Sequence, residues 1–237
     1  MMRRADVHAK CTNGCSPLWI AAKNGHTQIA EWLLAHGGGI DVMNNDNDTP
    51  LSIACFNGHL EVVQFLIRLR AAVGSINNAG FTPLHLAAQN DHAPVVRVLC
   101  ANGADFQAAS HNGTTPLFLA AQEGHVHVAR LLLSFGASVD NVRTQDGASA
   151  LWTAAQNGHT KIVTVLLASG ARPDKCRVAG ATALLAAVTS NHMMAAEALL
   201  EYGASTKVKA SNGMTPLRAA KHTKNQALIA LIRAPPV

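Results

Sequence analysis

The chain has 237 residues, of which 49% are apolar and only 4% aromatic, and a formal charge of +5. An alanine- and leucine-rich mix with few rings suits close helix packing rather than a deep cofactor pocket. No apolar run approaches the roughly 18 residues of a membrane-spanning helix, and no signal-peptide pattern opens the chain.

Five cysteines (Cys11, Cys15, Cys55, Cys100 and Cys176) are odd in number and scattered, which points to a reducing, cytoplasmic (possibly nuclear) compartment. The charge is uneven. From Ala168 onward nine Lys/Arg face Asp174, Glu197 and Glu201, a balance of +6, while the preceding 167 residues carry −1. That basic end reads first as a solvated face and second as a surface for an acidic partner.

A phrase of Ser or Thr, Pro or Ala, then Leu starts at Ser16, Thr49, Thr82, Thr115, Ser149, Thr182 and Thr215, at intervals of 33, 33, 33, 34, 33 and 33 residues. A fixed period of this size marks an array of one supersecondary unit in which each copy packs on its neighbours. The hydroxyl residue predicts a helix N-cap, and proline after it a first helical position where its missing N–H costs nothing. Two positions before each cap stand Gly14, Asn47, Gly80, Gly113, Gly147, Gly180 and Gly213, which predict a tight turn with positive φ. Nine positions after it stand Gly25, Gly58, Asp91, Gly124, Gly158, Asn191 and Lys224, the left-handed end of the first helix, with Lys224 breaking the rule. Apolar residues at offsets 13, 14, 17 and 18, such as Val62, Val63, Leu66 and Ile67, predict a longer second helix with one buried stripe.

In chain order, the first copy begins mid-unit. Ala5-Asp6-Val7 aligns with Ala104-Asp105-Phe106, and Leu18, Ile29, Leu33 and Leu34 have an interior pattern, so this end exposes apolar surface or continues upstream of Met1. In the second copy Arg70 replaces the glycine of Gly37, Gly103, Gly136, Gly170 and Gly203, which predicts a distorted helix end. Pro94 falls in the first turn of a helix, where it is tolerated. The fourth copy places helices near 116–123 and 126–134, and the 34-residue interval predicts a longer loop over 141–147. Ala150 and Ala183 replace proline in the fifth and sixth copies, leaving those helix starts less fixed. The last copy carries Lys221, Lys224 and Arg233 in place of small or apolar residues, a polar terminal cap, and Pro235-Pro236 stops its helix.

Thr115-Pro116-Leu117-Phe118-Leu119-Ala120-Ala121-Gln122-Glu123-Gly124-His125, followed by Leu131-Leu132-Leu133-Ser134-Phe135-Gly136-Ala137, resembles the ankyrin repeat, and the resemblance runs from about Arg3 to Arg233. It implies an all-α solenoid of helix–turn–helix units joined by β-hairpin-like loops, one array over residues 1–237 with its first copy starting near Arg4 and capped at Ser16. It also implies a non-catalytic scaffold or adaptor that holds a partner protein in a concave groove of hairpin tips and first helices. Carried over by position, the groove sites lie one, three and four residues before each cap and seven or eight after it. They are Asp46, Asp48 and Phe56; Phe81, Gln89 and Asn90; His111, Asn112, Gln122 and Glu123; and Gln145, Asp146, Gln156 and Asn157. The interface would be of standard size, about 800 Å² on this side. Three residues after the cap, where the family commonly has histidine, this chain has Trp19, Ser52, His85, Phe118, Trp152, Leu185 and Arg218. The rings there are expected to pack, and Phe56 and Phe81 to face solvent as anchors.

Twelve histidines invite a metal reading, but six of them (His26, His59, His92, His125, His159 and His192) recur once per copy. Helices about 8–10 Å apart cannot bring such a series to one zinc at about 2 Å. The resemblance assigns this histidine to the start of the second helix, hydrogen-bonded to nearby backbone. Cys11 and Cys15 form a lone pair without further ligands, and no nucleophile stands at interpretable spacing from a base. No enzyme activity, metal, cofactor or small-molecule substrate is expected. The chain is expected to be monomeric unless its N-terminal end self-associates. Two alternatives stay open: a targeting segment of a larger protein (a ligase adaptor or enzyme-recruiting module), and a basic-end adaptor for acidic lipid or nucleic acid. Nucleic acid is disfavoured because Tyr202 is the single aromatic residue of the last third.

Overall fold

A computed structural model of the chain describes residues 6–234. The expected start near Arg4, the alignment at Ala5 and the stop at Pro235-Pro236 lie outside that range. The described residues form fourteen α-helices and one short 3-10 turn, Val178–Gly180, with no strand. They fall into two compact units, divided in sequence between His111 and Asn112. The first holds α1 (Pro17–Lys23), α2 (Thr27–Ala35), α3 (Pro50–Phe56), α4 (Leu60–Arg68), α5 (Pro83–Gln89) and α6 (Ala93–Ala101). The second holds α7 (Pro116–Glu123), α8 (Val126–Ser134), α9 (Ala150–Gln156), α10 (Thr160–Ala168), α11 (Ala183–Thr189), α12 (Met193–Glu201), α13 (Pro216–Thr223) and α14 (Gln226–Arg233).

Each odd-numbered helix starts as the phrase dictates. The hydroxyl of Ser16, Thr49, Thr82, Thr115, Ser149, Thr182 or Thr215 accepts the N–H three residues on, and the cap backbone is extended. Ala150 and Ala183 occupy the proline position without shortening their helices, so the cap alone suffices there. Within each unit first helices pack on first helices and second on second, as α1 on α3 and α8 on α10. Each unit has its own leucine seam at the repeat period, Leu51 and Leu84 on first helices with Leu66 and Leu99 on second helices in the first unit, and Leu117, Leu151 and Leu184 with Leu132, Leu166 and Leu199 in the second, all essentially fully buried. Each such side chain contributes about 1.5–3 kcal/mol of transfer free energy.

The repeated histidine caps nothing in its own helix. It heads the second helix, and its imidazole reaches back to a carbonyl of the preceding copy: His59 Nε2 to Lys23 O at 2.8 Å, His92 to Phe56 O at 3.0 Å, His159 to Gln122 O at 2.9 Å. The ring thereby lies against the glycine that ends the preceding first helix. At Gly58 the φ is +74° and a Cβ would come 2.5 Å from His92; at Gly158 the φ is +76° and the distance to His192 is 2.6 Å. Glycine serves there twice, for the left-handed backbone and for the close approach. Asn191 fills the same position in the sixth copy, and the next copy replaces histidine with Asn225, whose Nδ2 donates to Asn191 Oδ1 at 2.9 Å.

Two expectations need correction. Lys224 does not break the rule: its φ is +56°, and it closes α13 in the same left-handed conformation as the glycines. Arg70 does not distort the end of α4. Its φ is +67°, and Ala71 N–H returns to Leu66 O at 3.0 Å, the bond that Ala104 makes to Leu99 O and Ala171 to Leu166 O. A Cβ at Gly37, Gly103, Gly170 or Gly203 would meet open space, so this position excludes no side chain and charges only the backbone strain.

The β-hairpin-like loops are turns linked tip to tip by single backbone bonds. In the first unit Asn45 N–H donates to Asn13 O and Asn78 N–H to Asp46 O, both at 3.0 Å. In the second, Thr144 donates to Asn112 O at 3.0 Å, Val178 to Asp146 O at 3.1 Å and Ser211 to Ala179 O at 2.9 Å. The 34-residue interval shows itself at one tip. Gly147 N–H bonds back to Arg143 O, four residues away, where Gly14, Asn47, Gly80, Gly180 and Gly213 each reach back three. The extra residue is absorbed as a wider turn.

Candidate functional site

Trp19, Phe118 and Trp152 are buried, as are Ser52, His85 and Leu185 at the same register, so the rings serve the packing beneath the hairpin face. His85 alone adds a capping box, with its Nδ1 accepting Thr82 N–H at 3.1 Å. Arg218 is the exposed exception, and its Nη1 donates to Gly213 O at 3.0 Å.

In the first unit the candidate residues gather on the turns and the ends of first helices. Asn44 and Asn77 each form an Asx turn, with Oδ1 accepting N–H groups two and four residues on. Asp48 is half-buried beside the second turn and accepts from Asn77 Nδ2 at 3.2 Å; burial raises its carboxyl above the usual value, partly opposed by that donor. Asp46 is exposed. Phe56 is 42% exposed at the end of α3, whereas Phe81 is half-buried and stacks on His85 with ring centroids 5.3 Å apart. Asn90 spends its amide on Leu86 O, at 2.8 Å, and Gln89 is half-buried beside it. His111 is exposed at the next tip.

In the second unit Asn112, Glu123, Gln145, Gln156 and Asn157 are exposed and Gln122 and Asp146 half-buried. Asn157 Nδ2 donates to Gln122 O at 2.9 Å. Asp146, in the wider turn, is the hub of an ion cluster. It binds Arg143 through two bonds of 2.9 and 2.6 Å and Arg177 at 3.0 Å, and its Oδ1 also accepts Ala148 N–H. Hydrogen bonding from Arg143 holds its carboxyl down at about 2. The two guanidiniums lie over buried rings, Arg143 over Phe118 at 5.0 Å and Arg177 over Trp152 at 4.6 Å. Asp146 thus braces the turn on which it was expected to meet a partner.

A recess of the second unit lies among the fifth to seventh copies, with a volume of about 640 Å³. Its walls are the groove offsets of copies six and seven, Ala179, Ala181, Ser211, Asn212 and Met214 on the turns and Thr189, Ser190, His222 and Thr223 on the helices, over Trp152, Leu185 and Ala186. Residues at these offsets in copies six and seven were not among the candidates, although the same register finds them. The signal in the letters is partial: Thr189 and Ser190 stand where other copies carry Gln89 and Asn90 or Gln122 and Glu123, whereas Asn212, Met214 and His222 are not small residues. The basic end is partly spent, since Arg172 pairs with Asp140 at 2.7 Å, Lys175 donates to Asp140 O and Arg177 serves Asp146. Lys221, Lys224 and Arg233 are all exposed, as a polar cap requires. At the other end, Ile20, Ile29 and Trp32 are about half exposed, whereas Leu18 and Leu33 are buried.

Among the described residues no group of three or more His, Cys, Asp or Glu could hold a metal ion, and no helix is long and apolar enough to cross a membrane. Burial pushes the Cys100 thiol up to about 11 and Cys55 higher still, away from nucleophilic character.

A family model described as ankyrin repeats matches three stretches, residues 1–77, 39–110 and 105–177. No curated protein sequence matches the chain. Among solved structures, the ankyrin repeat domain of Bcl-3, described as a unique member of the IkappaB protein family, is similar with 27% identity and a TM-score of 0.81, over 94% of this chain and all of that one. The human ASB11 ankyrin repeat domain is similar with 26% identity and a TM-score of 0.84, again over 94% of this chain and all of that one.

Proposed function

The chain belongs to the ankyrin-repeat family, whose domains bind protein partners, and from that premise we propose that it is a non-catalytic intracellular adaptor whose seven copies act as one array, monomeric in solution. Its partner rests on the hairpin turns and the exposed sides of the first helices. The observation that carries this reading is the convergence of the variable offsets of the sixth and seventh copies on one recess of about 640 Å³, while the repeated letters are consumed in caps, turns and core. A scaffold whose constant residues hold the fold leaves its variable ones for recognition. In the first unit Asp46, Asp48, Phe56, Phe81, Gln89 and Asn90 are the contact candidates, with Phe56 the best anchor because its ring is open to solvent.

Cross-link mapping on the intact chain tests the reading. Cross-links to a partner are expected on the hairpin turns and first helices, and a Phe56→Ala, Phe81→Ala variant should stay folded and lose affinity for a partner bound on the first unit. Cross-links confined to the second helices, together with unchanged affinity, would sink it.

A further inference from the structure

Resting on that reading, we propose that the recess of the second unit seats an acidic–apolar peptide segment of a partner protein. Apolar side chains enter over Leu185, Ala186 and Met214, and flanking carboxylates meet Arg218 and Lys209, which stand beside the adjoining Gly213 turn.

The register gives the recess a polarity. Three residues after successive caps come Trp152, Leu185 and Arg218, so a row that is apolar and buried in two copies ends in an exposed guanidinium. Arg218 and Lys209 converge on one turn: a Cβ at Gly213 would lie 3.6 Å from Arg218 Nη1 and 3.5 Å from Lys209 Cε. That turn supplies Asn212 and Met214 to the lip. Arg218 spends one donor on Gly213 O and keeps the rest of its fork for a carboxylate.

No Asp or Glu lines the recess. The turn acids of the second unit are already engaged, Asp140 by Arg172, Asp146 by Arg143 and Arg177, and Asp174 by the Ser205 N–H at 2.9 Å. Among the described residues Lys209 and Arg218 have no ion-pair partner, which leaves both charges open to a carboxylate from outside. A nucleic acid fits less well. It needs open ring faces for stacking, whereas Trp152 is 6% exposed with Arg177 over its ring. A lipid surface fits less well too, since the apolar surface is recessed rather than protruding.

The test is fluorescence anisotropy with the full chain and a labelled peptide of sequence Glu-Glu-Leu-Leu-Glu-Phe-Glu-Glu. Controls are the same peptide with lysine for every glutamate, the same with serine for leucine and phenylalanine, labelled oligothymidine and phosphatidylserine vesicles. The acidic–apolar peptide is expected to bind at least about tenfold more tightly than either altered peptide and to weaken as salt rises. Arg218→Ala with Lys209→Ala, and separately the recess-filling Thr189→Trp, should each cost about tenfold with helical circular dichroism unchanged. Should Thr189→Trp misfold, the exposed Arg218/Lys209 pair still decides. Equal binding of the lysine peptide, indifference to these variants, binding of oligothymidine or vesicles alone, or no binding would each overturn the proposal. A chain that ignores every peptide yet cross-links to a protein on its hairpin turns loses this inference and keeps the broader reading.

Discussion

The two units are written with the same letters and present different chemistry. Up to His111 the chain has seven Lys/Arg against eight Asp/Glu; from Asn112 it has twelve against six. In the first unit the turns are tightened by Asn44 and Asn77, carry the carboxylates of Asp46 and Asp48, and leave Phe56 in solvent. In the second, the wider turn at Arg143–Gly147 is clamped by Asp146 between two arginines that cover Phe118 and Trp152, and further on a recess opens whose turn at Gly213 has Lys209 and Arg218 beside it. The lesson is that the repeat fixes where side chains are displayed, and the residue at each offset decides whether the place becomes a brace, an anchor or a hollow.

The shared part of the comparison is broken most directly at the glycine–histidine contact. Gly58→Ala and Gly158→Ala should each cost about 2–4 kcal/mol, from left-handed strain plus overlap with the next imidazole. Gly103→Ala and Gly170→Ala, facing open space, should cost only about 1 kcal/mol. Urea denaturation of the four variants measures this, and unequal losses between Gly58 and Gly158 would show that the units do not share one scaffold.

Next in size comes Asp146→Ala, expected to cost about 1–2 kcal/mol by releasing both arginines. The Asp146 carboxyl is held below its unfolded value, so its contribution is complete above about pH 4 and is lost as the pH falls toward 2. The wild-type and alanine chains should therefore converge in stability under acid, as read by denaturant midpoints across that window.

A smaller, stabilising effect is expected at Arg70→Gly. Removing the left-handed strain, offset by the freer unfolded chain, should raise stability by about 0.5–1 kcal/mol, visible as a higher urea midpoint with unchanged slope. A loss of stability would mean that the arginine side chain makes a contact worth more than the strain.

The smallest effect has the opposite pH sense to that of Asp146. Burial raises the Asp48 carboxyl, so its charged form costs stability above the unfolded value of about 4, and the cost disappears on protonation. Asp48→Asn should thus be neutral or stabilising by less than about 0.5 kcal/mol at neutral pH, and the gain should fade in acid. A clear destabilisation at neutral pH would assign Asp48 a bracing role like that of Asp146.

Much of this was legible in the letters because it depends on bonds within one copy. A threonine cap needs only the N–H three residues away, and a turn needs only a residue that tolerates positive φ. The 33-residue period, the helix ends and the longer loop at 141–147 follow from such local rules, and seven copies make each rule visible, while the buried rings of Trp19, Phe118 and Trp152 are expected from the family resemblance at their register. Arg70 and Lys224 were misread because residue preference is weaker than the closing bonds of a helix already held by its neighbours. Tertiary structure alone decided what passes between copies. It seats His59, His92 and His159 on the previous copy's carbonyl, forbids a Cβ at Gly58 and Gly158, makes Asp146 a brace and sets a hollow near Arg218. Those outcomes depend on side chains about 33 residues apart in sequence meeting within a few ångströms, a distance that no local pattern encodes.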